Sequence, residues 1–295
     1  VLTKEEIFAR YEIALENYVK TLHIESKTLI EMVQKDFLPS SISYAGELAF
    51  TGAKKRQLSD SISTRTEEML AAKLSLLNDR ISGGLEQLKE DTAAAERLEG
   101  YLFPDTYEVY KGNAAVVDTI NKMLNNFGNK YDADIKSGAE NLGRSMHDIV
   151  TIASLIEREA QRDDERARIA GVIYNRLNNS SEFPYLQVDA SVLYGLGRTG
   201  GKLSDEDLKS DSEYNLYNHE GLPPGPICNP GYASLYAASH PEDNNYYYYV
   251  AMPDGSHLFA SSYEEHERNI EASNQAQAQA ASASADKTTT EATGE

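Results

Sequence analysis

One segment restricts the possible folds of this chain more than any other. Residues 221–231 read Gly-Leu-Pro-Pro-Gly-Pro-Ile-Cys-Asn-Pro-Gly, which places four prolines and three glycines in eleven positions. Proline lacks a backbone donor and glycine loses much conformational entropy on ordering, so this segment is neither a helix nor a central strand. It must be a shaped loop, and ordered loops of this composition commonly line a functional site. The alternative is a rigid linker.

The composition excludes several classes of function. The 295 residues include 28 Lys and Arg against 47 Asp and Glu, a formal net charge of −19. A duplex nucleic acid or an anionic lipid surface needs a basic face, so we expect neither as a partner. The single cysteine excludes an internal disulfide and any multi-cysteine metal site, and no histidines are closely paired, so we expect no metal. No apolar run is long enough to span a bilayer.

Composition also divides the chain into three parts. Residues 1–97 carry apolar side chains at three- and four-residue spacing, which predicts an all-helical segment whose first long helix ends at Pro39. Residues 98–270 contain most of the 19 tyrosines and show mixed patterns. Residues 271–295 lack large apolar side chains, which predicts a disordered tail. We therefore expect an α+β protein, with a mixed helical and β domain at 98–270, a helical segment before it and a disordered C-terminal tail after it.

The middle part contains recognisable elements. Residues 149–160 and 165–177 show helical periodicity. Residues 246–252 and 257–261 alternate like strands, and the Pro-Asp-Gly-Ser sequence between them predicts a hairpin, because Asp-Gly supplies the positive φ of a tight turn.

The predicted helix at residues 149–160 ends with two candidate acids. Glu157 and Glu159 both border a strongly apolar helix face, and the helical wheel does not choose between them. A carboxyl pressed against apolar surface has a raised pKa, as a general acid at neutral pH requires. The alternative is an ordinary amphipathic helix end with both acids in solvent.

Seven short blocks then follow one another in a characteristic order. They are residues 98–107, 153–159, 172–177, 186–189, 194–195, 214–217 and 221–227. This ordered set, within residues 98–270, resembles the YceG-like family, the endolytic murein transglycosylases of the bacterial cell envelope. The resemblance implies a lyase that remodels the cell wall by cleaving the β-1,4 bond between N-acetylmuramic acid and N-acetylglucosamine, which leaves 1,6-anhydro ends.

The same resemblance suggests site residues. In that family the catalytic glutamate is the second acid of a Glu-x-Glu pair, which maps onto Glu159. The muramoyl C6 hydroxyl supplies the nucleophile, so one carboxyl suffices and no metal or organic cofactor is implied. Five further polar residues are candidates for substrate binding, although each is also compatible with a structural role: Glu157, Gln187, Asp189, Asn215 and Tyr217.

Partners and location follow from the resemblance too. It implies peptidoglycan glycan strands as the substrate, cell-wall synthases as a further candidate partner, and the outer face of the cytoplasmic membrane as the location. The family normally has a membrane anchor and a small LysM-like domain before the Glu-Gly-Tyr block, and this chain has the helical segment at that place.

A second resemblance concerns the first 50 residues or so. Residues 10–25 are similar to the C-terminal helices of type III glutamine synthetases, whose nucleotide and metal ligands lie upstream of the matching part. The resemblance implies an origin for residues 1–97, through a natural fusion or an artefactual join near residue 97, and it implies no activity. His23 and Glu25 are interpreted as helix-surface residues.

Three rival functions stay open on the sequence. A non-catalytic glycan-binding or assembly protein would release no glycan. A fragment of a glutamine synthetase would need ATP-dependent glutamine formation, but the upstream catalytic part is missing. An aminodeoxychorismate lyase would need pyridoxal phosphate on a lysine in a phosphate-binding context, and no lysine here has one.

Overall fold

The computed structural model describes residues 26–108, 113–198 and 200–291. The chain divides into two compact units, Val1–Arg97 and Leu98–Glu295. The synthetase-like run at residues 10–25, with His23 and Glu25, lies outside the described residues.

The described part of the first unit is helical, as the sequence predicts, and it forms a hairpin. Its described elements are helical residues 26–32, a π-helical turn at Val33–Phe37, helix α1 at Leu38–Leu58 and helix α2 at Arg65–Leu98. Near the turn, Lys55 Nζ lies 2.5 Å from Glu67 Oε1. Further along, Ser41 Oγ donates a hydrogen bond to Asn78 Oδ1 at 2.7 Å. The two helices therefore run antiparallel.

The prediction that Pro39 ends the first helix is wrong. The chain remains helical to Leu58, and Pro39 stands in the first turn of α1, directly after the π-helical turn. The residues before Pro39 are helical as well, so the proline stands inside a continuous helical stretch and removes one of its backbone hydrogen bonds. The π-helical turn directly before it widens the helix and relieves the steric conflict that proline creates inside a regular helix.

The second unit is mixed, and the predicted α+β class is confirmed. Its helices are α3 at Asn113–Lys130, α4 at Ala133–Asn141, α5 at Met146–Glu159, α6 at Arg166–Asn178, α7 at Asp189–Gly195, α8 at Tyr232–Ser239 and α9 at Tyr263–Glu291, with 3₁₀ turns at Asp163–Glu165 and Asp207–Lys209. Strands β1 at Tyr248–Ala251 and β2 at His257–Ala260 pair antiparallel, Tyr249 opposite Phe259. The two predicted helices and the hairpin are confirmed. Gly255 has φ +82°, as the tight turn requires.

Helix α5 forms the centre of this unit. All residues from Ile149 to Ile156 are buried, and α5 packs against α6, α7 and α8. The helix begins with a capping box, in which Ser145 Oγ accepts the N–H of Asp148 and the carboxylate of Asp148 accepts the N–H of Ser145. Because its middle is enclosed on every side, α5 can present polar chemistry to solvent only at its ends. Glu159 is the last residue of the carboxyl end.

The Pro/Gly segment is a loop whose centre belongs to the core. Ile227 and Cys228 are buried, and the N–H of Ile227 donates to Ser154 Oγ on α5 at 3.0 Å. Gly100, at φ +85°, packs against Pro226 so closely that a Cβ would overlap the proline ring. The rigid-linker alternative is therefore wrong, because this loop covers the central helix.

The hairpin is attached to the helices on two sides. Asn175 Nδ2 on α6 donates to the carbonyl oxygen of Tyr246 at 2.8 Å. The carboxylate of Glu165 accepts the backbone N–H of His257 at 3.1 Å and pairs with its Nδ1 at 2.9 Å, and both side chains are buried. These bonds hold the hairpin on α6 and on the 3₁₀ turn that precedes it.

Helix α9 continues beyond residue 270, where composition places the start of the tail. Ser273 is only 1% exposed, and its hydroxyl donates to the carbonyl oxygen of Ala251 on β1 at 2.7 Å. The first part of the expected tail is therefore helical and held on the hairpin. Disorder further along stays a prediction.

Candidate active site

Glu159 at the end of α5 has the properties of a general acid. The side chain is partly buried, and the loss of hydration raises the pKa of its carboxyl from 4.5 to about 7. The charge of Asp189 raises this pKa further, whereas the hydroxyl of Tyr249 and the backbone N–H of Ala190 favour the ionised form. Near neutral pH, both the acid and the carboxylate of Glu159 are therefore populated.

Tyr249 on β1 is the hydrogen-bond partner of this carboxyl. Its hydroxyl donates to Glu159 Oε2 at 3.1 Å. Burial, and next the charge of Glu159, raises the pKa of Tyr249 well above its ordinary value, so the phenol remains a donor. The Tyr249 ring makes an edge contact with the ring of His257, centroid to centroid 5.5 Å, and His257 is in turn bound by Glu165. The alternating tyrosines of residues 246–249 predict a strand, but alternation does not tell which tyrosine faces the acid.

Asp189 and Tyr217, both predicted from the sequence, form a second hydrogen-bonded pair. Tyr217 Oη donates to Asp189 Oδ1 at 2.7 Å. Asp189 is exposed at the first position of α7. Burial raises the pKa of Tyr217, and its bond to Asp189 raises it further, so this phenol also stays protonated. Both residues interact electrostatically with Glu159, so the structure places the pair in the neighbourhood of the acid.

Arg176 on α6 joins another predicted residue, Gln187, to this neighbourhood. Its guanidinium donates to the carbonyl oxygen of Leu186 and to Oε1 of Gln187, both at 2.8 Å. It also lies 5.4 Å from the ring centroids of Phe183 and Tyr248. Burial lowers the pKa of Arg176, yet a guanidinium remains charged in a protein. Sequence reasoning missed Arg176, although it stands in one of the family-like blocks, because only the fold shows that it is buried among these groups.

Asn215 does not fit the expected contact with substrate. The side chain has no exposed surface. Its Nδ2 donates to the carbonyl oxygens of Leu208 at 3.0 Å and Ser210 at 2.9 Å, and its Oδ1 accepts the N–H of Tyr217 at 3.2 Å. Asn215 therefore shapes the loop that carries Tyr217.

Glu157 makes its contacts away from Glu159. Its Oε2 accepts hydrogen bonds from Ser234 Oγ at 2.6 Å, the N–H of Gly231 at 3.2 Å and Arg166 at 3.3 Å. Gly231 is the N-cap of α8, where a negative charge is favourable. Two residues along a helix turn the side chain by about 200°, so the two acids point to different sides. The structure thus assigns Glu157 bonds that join α5 to α6 and α8.

Two kinds of feature are missing from the part of the chain that the structure describes. No three His, Cys, Asp or Glu side chains there are grouped so that they could hold a metal ion. No helix there combines the length and the apolar character needed to cross a bilayer.

The sequence matches known proteins over most of its length. The model of the YceG-like family matches residues 17–272. The endolytic murein transglycosylase of Bacillus subtilis (strain 168) is 33% identical over 258 residues, which are 83% of this chain and 70% of that protein. The enzyme of the same name from Streptococcus pneumoniae (strain D39) is 35% identical over 190 residues, which are 61% of this chain and 33% of that protein.

The similarity to glutamine synthetase is narrower. The glutamine synthetase of Butyrivibrio fibrisolvens is 36% identical over 107 residues, which are 36% of this chain and only 15% of that enzyme. The YceG-like match begins at residue 17, so it reaches into the helical segment and does not start at residue 98.

A solved structure agrees with the sequence matches. The crystal structure of a YceG-like protein from Listeria monocytogenes superimposes with a TM-score of 0.53 at 38% sequence identity, and the match covers 58% of this chain and 55% of that one. The family model alone covers well over half of the chain. The chain therefore belongs to the YceG-like family.

Proposed function

We propose that this protein is an endolytic peptidoglycan transglycosylase, a lyase that cuts glycan strands during cell-wall remodelling. The observation that carries the proposal is the state of Glu159, a carboxyl with a pKa of about 7 at the open end of the buried helix α5. Family membership and relatives named endolytic murein transglycosylase support the choice of substrate.

The reaction needs one group that first gives and then takes a proton. Protonated Glu159 donates its proton to the glycosidic oxygen as the bond between this oxygen and C1 of N-acetylmuramic acid breaks. The C6 hydroxyl oxygen of the same sugar then closes on C1, and the Glu159 carboxylate accepts the hydroxyl proton. The products are a 1,6-anhydro end and a free N-acetylglucosamine 4-hydroxyl, no water is consumed, and Glu159 is again protonated.

The surroundings of Glu159 suit both half-reactions. A pKa near the working pH gives an acid strong enough to donate and a carboxylate basic enough to accept. Tyr249 donates to Oε2, and we assign the proton transfer to the other carboxyl oxygen, Oε1. The nearby Asp189 carboxylate both keeps Glu159 protonated and favours the positive charge that develops at C1 in an oxocarbenium-like transition state.

The other candidate residues then take different roles. We assign Gln187, Asp189 and Tyr217 to substrate binding beside Glu159, since their side chains have exposed surface and they lie in the same neighbourhood. Glu157 and Asn215 act by supporting the fold, because Glu157 binds groups of α6 and α8 and the side chain of Asn215 is fully buried in the loop that it shapes.

Organisation and location complete the proposal. We assign the chemistry to residues 98–270 within the second unit, so a chain that begins at residue 98 should still release anhydro-muropeptides. We propose a position in the cell envelope, at the outer face of the cytoplasmic membrane, with cell-wall synthases as partners, on the strength of the family.

The decisive experiment compares Glu159→Gln with Glu157→Gln on isolated sacculi. At equal concentrations of folded protein, Glu159→Gln should lower the release of 1,6-anhydro-muropeptides, measured by mass spectrometry, by roughly 10²- to 10⁴-fold, as expected when a general acid–base group is lost. Glu157→Gln is the matched control, since it removes the same charge two residues away. It should keep most of the activity and lose stability.

Other results would contradict the proposal in distinct ways. If wild-type protein binds sacculi but releases no soluble fragment, the chain is a glycan-binding protein. If Glu157→Gln is inactive and Glu159→Gln is active, the acid has been assigned to the wrong glutamate.

A further inference from the structure

Gln187 has a backbone conformation that a glutamine rarely adopts. Its φ is +57°, and within the described ranges it is the only residue other than glycine with a positive φ. This left-handed conformation costs free energy in any residue that has a Cβ, and such strain is concentrated at functional sites. The surrounding structure imposes it here, because the N–H of Gln187 donates to the carbonyl oxygen of Leu216 at 2.9 Å.

The side chain of Gln187 is oriented as well as its backbone. Arg176 donates to Oε1 of Gln187 at 2.8 Å. A guanidinium has only donors, so the amide atom that faces it must be the oxygen, and the orientation of the amide is settled by chemistry. The Nε2 amino group consequently points away from Arg176. Gln187 is exposed, and no described residue accepts a hydrogen bond from its Nε2.

This free donor lies on the segment that reaches Glu159. Ala190, three residues after Gln187, directs its backbone N–H to the Glu159 carboxyl, and Asp189 acts on the same carboxyl through its charge. Arg176, which holds the Gln187 amide, also interacts electrostatically with Tyr249 and Tyr217. The oriented amide is thus part of the wall beside the acid.

Resting on the proposed function, we propose that Gln187 is a specificity residue whose Nε2 donates a hydrogen bond to an acetamido carbonyl oxygen of the glycan. An amide oxygen is the strongest uncharged acceptor that an N-acetylated sugar offers to such a donor. A de-N-acetylated sugar presents an ammonium group instead, which has donors only. Donor would then face donor, and the site would reject the sugar because polar groups are left unpaired. Arg176 is a positioning residue, because it acts by fixing the amide.

The test measures binding and needs no cleavage. Tetramers of N-acetylglucosamine and of glucosamine are titrated calorimetrically into wild-type protein, Gln187→Gly and Gln187→Asn. Glycine and asparagine both tolerate a positive φ, so the backbone should keep its conformation. Because Arg176 loses an acceptor, both variants should be somewhat less stable, and thermal unfolding checks that each is folded at the temperature of the titration. Asparagine retains an amide but is one methylene too short to hold Arg176 and reach the glycan at the same time.

Wild-type protein should prefer the acetylated tetramer, and each variant should lower the ratio of the two affinities by roughly three- to tenfold, the value of one hydrogen bond. The acidic chain attracts the cationic tetramer equally in all three proteins, because every replacement is neutral, so the change in the ratio isolates the contact. An unchanged ratio, or no measurable binding of the acetylated tetramer by the wild type, overturns the proposal. If the ratio changes but sacculi are not cleaved, the recognition stands and the proposed catalysis fails.

Discussion

The hydroxyl of Tyr249 lies 3.1 Å from Oε2 of Glu159, and this bond connects a strand to the end of a helix 90 residues earlier in the chain. It opposes the dominant effect on that carboxyl, since burial raises the pKa of Glu159 whereas the hydroxyl bond lowers it. The charge of Asp189 acts in the direction of burial. Tyr249 and Asp189 therefore shift the pKa of Glu159 in opposite directions. The two effects can be tested separately.

Tyr249→Phe should move the alkaline side of the pH–activity profile to higher pH. The replacement removes a bond to the ionised form of Glu159, so its pKa rises and the acid persists further into the alkaline range. Below that range, the loss of one hydrogen bond to the carboxyl should cost no more than about tenfold in rate. The measurement is the rate of anhydro-muropeptide release from pH 5 to 9. A shift toward lower pH would show that the hydroxyl does not stabilise the carboxylate.

Asp189→Asn should move the same alkaline side to lower pH. Without the neighbouring negative charge the pKa of Glu159 falls, so its proton is lost sooner. The rate at the optimum should also fall, by about 10- to 100-fold, because a charge that favours the cationic transition state is gone. The same pH series measures both effects. If Asp189→Asn and Tyr249→Phe both move the alkaline side of the pH–activity profile in the same direction, the opposing roles given to these residues are wrong.

Glu159 should make stability depend on pH with a sign that can be worked out. Its pKa is about 7 in the folded chain against 4.5 as the ordinary value, so the folded state binds more protons between these limits. Stability contributed by this group is complete below pH 4.5 and is lost as the pH rises toward 7. The free energy of unfolding of Glu159→Gln, relative to that of the wild type, should therefore be about 2 kcal/mol higher at pH 8 than at pH 5, after allowance for partial solvent screening. Urea unfolding of both proteins at pH 5 and pH 8 measures these free energies. If the variant and the wild type differ by the same amount at both pH values, the prediction is wrong.

Glu165→Ala should destabilise the chain by about 2–4 kcal/mol. It leaves the backbone N–H and the imidazole of buried His257 without their acceptor. Because His257 contacts the ring of Tyr249, activity should also fall at temperatures where the fold persists. Asp164→Ala, one residue earlier, is the control, since it removes only a surface pair with Arg162 and should change stability by about 0.5 kcal/mol or less. Denaturant unfolding of both variants provides the comparison.

Local patterns were sufficient for the secondary structure near the site. The apolar run of α5 and the Asp-Gly turn of the hairpin depend on neighbours within a few residues, so their periodicity and turn chemistry predict them correctly. Pro39 misleads because a proline normally ends a regular helix, whereas here the π-helical turn before it lets the chain remain helical, and such a turn cannot be recognised from the proline alone.

The apolar periodicity of α5 does not distinguish Glu157 from Glu159, whereas the tertiary structure does. Both acids border the same apolar face in sequence, but Ser234 and Gly231, more than seventy residues later, bind the first, while Tyr249 binds the second. The sequence by itself determined that a carboxyl would stand at the end of a buried helix. Long-range packing decided which carboxyl loses its hydration, and desolvation is what raises its pKa, because the cost of a charge depends on every group that surrounds it and not on its neighbours along the chain.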